Sequence, residues 1–385
     1  MKKLCCLILA AWMISIILVS CTEQLPDNLE GDHSYTSRLV GLSSQRVVCW
    51  NNYVVTDLSE AVYDRTSGEI RYGLCEDPEC DGTCLLDQAK VTYVAATQGR
   101  LYFTARGKRE IHYGYRNLLT GESKVLLTVD AEQRTPNQPT FLEDGWLYYE
   151  IKLLRDGGDP DNADDYLAHL CRIPEDGGKQ EILYEMRQNA EILLLVADGS
   201  MYTYLSGIIW KFDLATMERR ELFTFEGTEL GGIGEFSYLD GKLYFNTVVG
   251  NDTYLCTMNP ETGEWAYLLD VPVITYVITN DAIYFSPAEK RQINDPVKYP
   301  TVEDGAKMYL FSPTLFACDL DGKNVRDVWT DESGLIDFCE QYIVVDDVFY
   351  GWLFEFDLEK NTTKERYFAE IHFDTGEIVP ATVVK

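Results

Sequence analysis

Polar turn residues and short apolar-aromatic runs alternate along most of this chain, with no helical periodicity between them. One pattern keeps returning. It reads Gln98-Gly99-Arg100-Leu101-Tyr102-Phe103, Asp144-Gly145-Trp146-Leu147-Tyr148-Tyr149, Asp198-Gly199-Ser200-Met201-Tyr202 and Asp240-Gly241-Lys242-Leu243-Tyr244-Phe245. Asn280-Asp281-Ala282-Ile283-Tyr284-Phe285 continues it and Asp346-Asp347-Val348-Phe349-Tyr350 is a degenerate last copy. Asn51-Asn52-Tyr53-Val54-Val55 is the first, which makes seven. Asp-Gly and Asn-Gly-type pairs supply the positive-φ positions of tight hairpins, so each copy predicts a turn between antiparallel strands. Most copies lead to a second turn, as at Ser67-Gly68-Glu69, Thr120-Gly121-Glu122, Thr262-Gly263-Glu264 and Thr375-Gly376-Glu377. An apolar strand precedes the first turn, as in Val91–Ala95, Ile192–Val196 and Ile274–Ile278, and an outer strand follows the second, as in Lys124–Leu127. The unit is therefore four short antiparallel strands, repeated roughly every 40 to 65 residues. The pattern predicts an all-β fold, a β-propeller of seven four-stranded antiparallel blades. A pair of β-sandwiches is the competing architecture, but sandwich strands do not carry one motif at a steady period. Whether Ser37–Leu42 completes the last blade is left open by the pattern.

The N-terminus follows another rule. Met1-Lys2-Lys3 precedes Leu4–Val19, apolar apart from Ser15, and then Ser20-Cys21. A positive start, a short apolar run and a small residue make a secretory signal, and the run is shorter than the roughly 20 residues that span a bilayer. Leu18-Val19-Ser20-Cys21 resembles the bacterial lipobox, which implies a diacylglyceryl group on Cys21 after cleavage. An uncleaved signal anchor is the alternative. Two acyl chains hold a protein stably at a membrane, so this lipid needs no transmembrane helix. The expected organisation is a signal peptide over 1–20, a lipidated Cys21 with a flexible tether over 21–35, and one propeller over 36–385. The expected place is the extracytoplasmic face of the cell membrane.

Charge narrows the partners. The formal net charge is −30, and losing Lys2 and Lys3 makes it more negative. Nucleic acid and anionic headgroups are repelled at long range, whereas cations, cationic peptides and neutral glycans are not. An apolar fraction of 46% with 25 tyrosines belongs to a folded chain.

Cysteine usage divides into groups. Cys171, Cys256 and Cys318 fall in one column of the repeat, where other copies place Tyr63, Trp210 and Ile371, so they read as packing residues, and Cys339 joins them. Cys75, Cys80 and Cys84 crowd one stretch with Asp77, Asp81 and Asp87, turned by Pro78 and Gly82. Clustered thiols in an exported loop form a disulfide, hold zinc with a carboxylate or Cys49, or stay free. The spacing lacks the paired Cys-x-x-Cys of common zinc sites. With the repeats and the motif Cys75-Glu76-Asp77-Pro78-Glu79-Cys80, the chain resembles extracytoplasmic lipoprotein propellers of Gram-positive bacteria, similar to the low-density-lipoprotein-receptor-type propeller. That class has no assigned activity, so the resemblance implies a fold and little chemistry.

No catalytic signature stands out. There is no Gly-x-Ser-x-Gly elbow, no His-Glu-x-x-His and no phosphate-cradling loop that opens a helix, and no cofactor is indicated. Of the histidines His112, His169 and His372, the last two sit beside strand-core positions in their copies and read as structural. With 63 acidic residues, any two carboxylates can meet in space, and the sequence does not say which. Asp156 to Asp165 is acidic but lacks the sixth-position Gly and terminal Glu of a calcium loop, so it reads as solvated. Up-and-down connectivity places the long insertions Leu154–Asp165 and Pro287–Met308, with the cysteine loop, on one face. Long loops carry function in compact folds, and that face is the candidate binding surface, through Asp159, Asp161, Arg291, Lys298 and Tyr299. The expected role is a non-enzymatic module for a protein or peptide partner; the alternative is a glycan-binding or glycan-cleaving propeller.

Overall fold

The computed structural model describes residues 40–41, 47–50, 53–56, 61–72, 90–97, 100–106, 110–117, 120, 122–130, 141–155, 157–159, 162, 165–186, 191–289, 291–292, 309–310, 312–333, 336–337, 342–357 and 362–384. All belong to the unit Ser34–Lys385. They form seven blades of antiparallel strands, a seven-bladed β-propeller. Blade 1 is Val47–Trp50, Tyr53–Thr56, Ala61–Asp64 and Glu69–Tyr72, and blade 2 is Lys90–Thr97, Arg100–Arg106, Glu110–Asn117 and Ser123–Asp130. Blade 3 is Phe141–Glu143, Trp146–Leu154, Tyr166–Pro174 and Glu181–Glu185; blade 4 is Ile192–Ala197, Ser200–Leu205, Ile208–Asp213 and Arg219–Thr224. Blade 5 is Phe236–Leu239, Lys242–Val249, Asp252–Met258 and Trp265–Tyr267, and blade 6 is Val273–Ile278, Ile283–Pro287, Thr314–Cys318 and Arg326–Thr330. In blade 7 the innermost strand is split into Ile336–Asp337 and Tyr342–Val345, followed by Val348–Asp357, Thr362–His372 and Ile378–Pro380.

The repeated Leu-Tyr-Phe run explains why the blades stack. Successive strand residues point to opposite faces of a sheet, and here each face meets another sheet, so consecutive positions are apolar. The tyrosines of three copies are seen to face the next blade. Tyr202 lies 5.7 Å from Phe236, Tyr284 lies 6.4 Å from Phe373, and Tyr350 lies 5.9 Å from Tyr63. The following residue faces the previous blade, as Tyr149 does on Tyr113 at 4.6 Å. The first strands of blades 1 to 5 approach their neighbours within 8 Å, as do those of blades 6 and 7 and of blades 7 and 1, so the ring closes on itself.

Two features at the ends of the unit were open in the sequence. Val40–Gly41 does not complete the last blade. It pairs antiparallel with the inner edge of blade 5, Val40 opposite Tyr238 and Gly41 opposite Ser237, and so lies at the axis. Closure instead uses Thr382–Val384, which adds in parallel to the outer strand of blade 1. Tyr63 donates to Glu370, and Arg65 meets Asp346 at 3.1 Å, across the same seam.

The cysteine column also resolves differently. Cys171 and Cys256 pair with Tyr149 and Phe245, but Cys318 pairs with Ile283, two residues nearer the turn in the repeat. Two steps along a strand keep the same face, so all three thiols are buried core.

Candidate functional site

Connectivity gives the disc two unlike faces. First-to-second and third-to-fourth turns leave one end of each blade, here the turn face. Second-to-third connections and blade-to-blade links leave the other, the insertion face. The loop 155–165 joins the second and third strands of blade 3, and residues 288–313 do the same in blade 6. Residues 73–89 link blade 1 to blade 2. All three therefore leave from the insertion face.

Among the sequence candidates, Cys21, Cys75, Cys80, Cys84, Asp161, Lys298 and Tyr299 lie outside the described residues. Arg291 belongs to a short ribbon on blade 6, Arg291–Gln292 against Tyr309–Leu310. Asp159 is exposed in the blade 3 loop, where its N–H donates to Asp165 Oδ2 at 2.9 Å. Asn162 Nδ2 donates to the same oxygen at 3.2 Å, and Arg155 N–H to the Asp165 carbonyl closes the loop at 2.8 Å. Asp165 thus holds the loop's shape with the oxygen a cation would use. No cluster of three metal-ligating residues occurs among the described residues.

The structure brings together two carboxylates that the sequence did not single out. Glu150 lies in the second strand of blade 3 and faces blade 4, two residues after Tyr148. Glu191 immediately precedes the first strand of blade 4. Both are buried, at 4% and 3% exposure. Thr203, which stands where other copies place Phe103, Tyr149, Phe245 and Phe285, donates to Glu191 Oε1 at 2.6 Å. Tyr184 donates to Oε2 at 3.4 Å. Glu150 Oε2 has no hydrogen-bond partner. Burial pushes the Glu150 carboxyl up to about 7, with the Glu191 charge adding to it, against Lys152 and the Leu193 N–H, which favour the anion. The pair sits below the insertion face, between blades 3 and 4. A sequence signal existed: Glu150 is a charge between buried Tyr149 and Ile151, in a column that also holds Thr104, Tyr204, Asn246, Ser286, Trp352 and, in the first copy, Asp57.

Other reactive groups are committed to the fold. Burial pushes the Cys171 and Cys318 thiols up to about 11 and Cys256 to about 12, away from thiolate chemistry. His112 bonds Thr128 Oγ1 at 3.0 Å, His169 the Leu167 carbonyl at 3.0 Å, and His372 the Glu370 carboxylate at 3.0 Å.

Exposed apolar residues separate by face and radius. Val125, Ile182, Val325, Val379 and Val383 lie on or beside outer strands at the rim. Ile192, Val248, Val271 and Ile274 do not: they lie at the insertion-face ends of blades 4, 5 and 6 and the link between the last two.

No family model matches the chain, and no curated protein matches its sequence. Solved structures do match in shape. A prolyl endopeptidase is 14% identical with a TM-score of 0.53 over 90% of this chain, which spans half of that chain. An oligogalacturonate lyase from Vibrio parahaemolyticus is 11% identical with a TM-score of 0.49, covering 83% of this chain and 86% of that one. A chain of a nidogen/laminin complex is 11% identical with a TM-score of 0.36, covering 74% and 96%. At these identities the likeness is one of fold alone.

Proposed function

We propose that this protein is a lipid-anchored, extracytoplasmic, non-enzymatic binding module that holds a protein or peptide partner on its insertion face. One observation carries the reading. Val40–Gly41 runs antiparallel to the first strand of blade 5, hence from the turn face toward the insertion face. A chain held at Cys21 therefore reaches the propeller on its turn face. In this reading the tether after Cys21 leads to the turn face, and the insertion face is the one left open to a partner. The long connections and the recessed carboxylates then belong to the accessible side.

A glycan-cleaving reading has one observation in its favour, the Glu150 and Glu191 pair. Against it, both acids are buried and Glu191 is already held by Thr203 and Tyr184. Two measurements test the main reading. Cys21→Ser should abolish fatty-acid incorporation and move the protein to the soluble fraction. A photo-crosslinking residue at Asn251 on the insertion face should capture a partner in the native cell, whereas one at Asp321 on the turn face should give lipid or nothing. Partner capture confined to Asp321 would overturn the assignment.

A further inference from the structure

We infer that the arc of the insertion face over blades 4 to 6, between the two insertions, binds a cationic polypeptide segment that carries apolar side chains. This rests on the insertion-face reading and names the partner's chemistry.

The apolar half of the argument is the set Ile192, Val248, Val271 and Ile274, exposed by 41%, 46%, 43% and 36%. Ile274 is placed by a bulge: Val273 pairs with Pro287 and Thr275 with Ser286, so Ile274 is the extra residue and turns out of the inter-blade packing. Its neighbours Val273, Thr275 and Tyr276 are all buried. Val248 is bracketed by the blade 4–5 link, whose Gly231 N–H donates to the Val248 carbonyl at 2.7 Å and whose Gly234 N–H donates to the Asn246 carbonyl at 2.9 Å. Added side-chain bulk at Gly231 would meet that carbonyl at 2.8 Å, so glycine lets the link lie flat beside an exposed valine. Apolar groups exposed at the same end of three adjacent blades are the surface this inference assigns to a partner.

The charged half is complementarity. Residues 225–235, 250–252, 268–272 and 287–289, in the links and connections beside these four, contain no lysine or arginine; Arg187 precedes Ile192, and Lys290 and Arg291 follow the last of these segments. The segments contain Glu226, Glu229, Glu235, Asp252, Asp270 and Glu289, all exposed except the half-buried Glu235. Tyr267 donates to Glu229 at 2.6 Å and Tyr276 to Glu235 at 3.1 Å, which fixes part of this rim in place. Anionic lipid and a second copy of this acidic face are repelled. Neutral glycans favour aromatic platforms; the four residues are Ile and Val, and Tyr267, exposed at the end of blade 5, is engaged by Glu229. A segment with both positive and apolar side chains satisfies both halves.

The test uses the lipidated protein in detergent micelles and a fluorescent peptide of alternating Leu and Lys, read by anisotropy. Two control peptides replace Leu by Ser, or Lys by Glu. The Leu/Lys peptide should bind at least tenfold more tightly than either. Ile192→Ser with Ile274→Ser keeps the protein's charge and should weaken it at least tenfold, with an unchanged melting temperature confirming the fold. Equal binding of the Ser/Lys peptide, or unchanged binding by the double variant, would reduce the effect to net charge and overturn the inference. Binding that appears only after removal of 293–308 would assign the patch to the chain's own insertion and also overturn it. If the peptide fails while crosslinks at Asn251 persist in cells, only the partner chemistry falls. Crosslinks moving to Asp321 would bring down the insertion-face reading itself.

Discussion

The two faces of the disc are built by the same strands and share almost nothing else. On the turn face the hairpins are short and stereotyped: Asp144, Asp198 and Asp240 take φ of 48°, 50° and 48°, each followed by a positive-φ glycine. Neighbouring blades are laced together there. Gly199 N–H reaches Glu143 Oε1 at 3.2 Å, Tyr238 donates to Asp198 at 2.7 Å, and Tyr244 donates to the Leu320 carbonyl at 3.2 Å. The insertion face instead carries links of unequal length, a buried carboxylate with one unpartnered oxygen, and exposed aliphatic residues. One face closes the ring, and that rigidity lets the other vary.

The largest effect on the contrast between the faces should come from breaking the turn face where blades touch. Gly263 has φ of 73°, and a Cβ there would run into the Leu222 carbonyl oxygen of the preceding blade. Gly68 has nearly the same φ, 71°, but its nearest neighbour would be Tyr63 Oη at 3.8 Å. Gly68→Ala therefore meets only left-handed strain, about 1 kcal/mol, while Gly263→Ala adds a backbone clash and should cost about 3 kcal/mol or more. Urea melts of the two variants measure the difference. Equal losses would show that the turn, and not its contact with the next blade, sets the requirement.

This contrast also marks how far the sequence could be read. Asp-Gly and Thr-Gly-Glu turns are local chemistry, so Asp198-Gly199 and Thr262-Gly263-Glu264 announced their hairpins, and seven copies announced the blades. Val40–Gly41 was not legible, because two residues acquire a strand only from the free inner edge of blade 5, about 200 residues away in the chain. The bulge at Ile274 is invisible for the same reason: register is a property of the pair. Glu150 was legible in principle, as a charge flanked by core residues. Its partner was not, since only ring geometry sets Glu191 beside it.

The next effect tests the recessed acids. With its carboxyl pushed up to about 7, Glu150 binds a proton more tightly in the folded state than in the unfolded chain. Its contribution to stability is therefore complete below about pH 4.5 and is lost as pH rises through 7, a change of about 3 kcal/mol. Glu150→Gln resembles the protonated form, so it should flatten this slope and melt above the unmodified protein at pH 8, by about 2 kcal/mol. At pH 4.5 the two should coincide. A slope that survives the substitution would place the titrating group elsewhere.

The smallest effect is the most discriminating for the two faces. Residues that exist to pack lose stability when truncated, whereas residues that exist to bind do not. Ile192→Ser and Ile274→Ser remove exposed methyl groups, and each should change stability by no more than about 0.5 kcal/mol. Phe245→Ala, in the blade between theirs and fully buried, should cost about 3–5 kcal/mol. If the isoleucines proved as costly as a buried aromatic, they would be holding the links rather than awaiting a partner. A near-zero cost would instead mean that aliphatic surface is kept on this face with no return in folding. That is the pattern expected when the return comes from association.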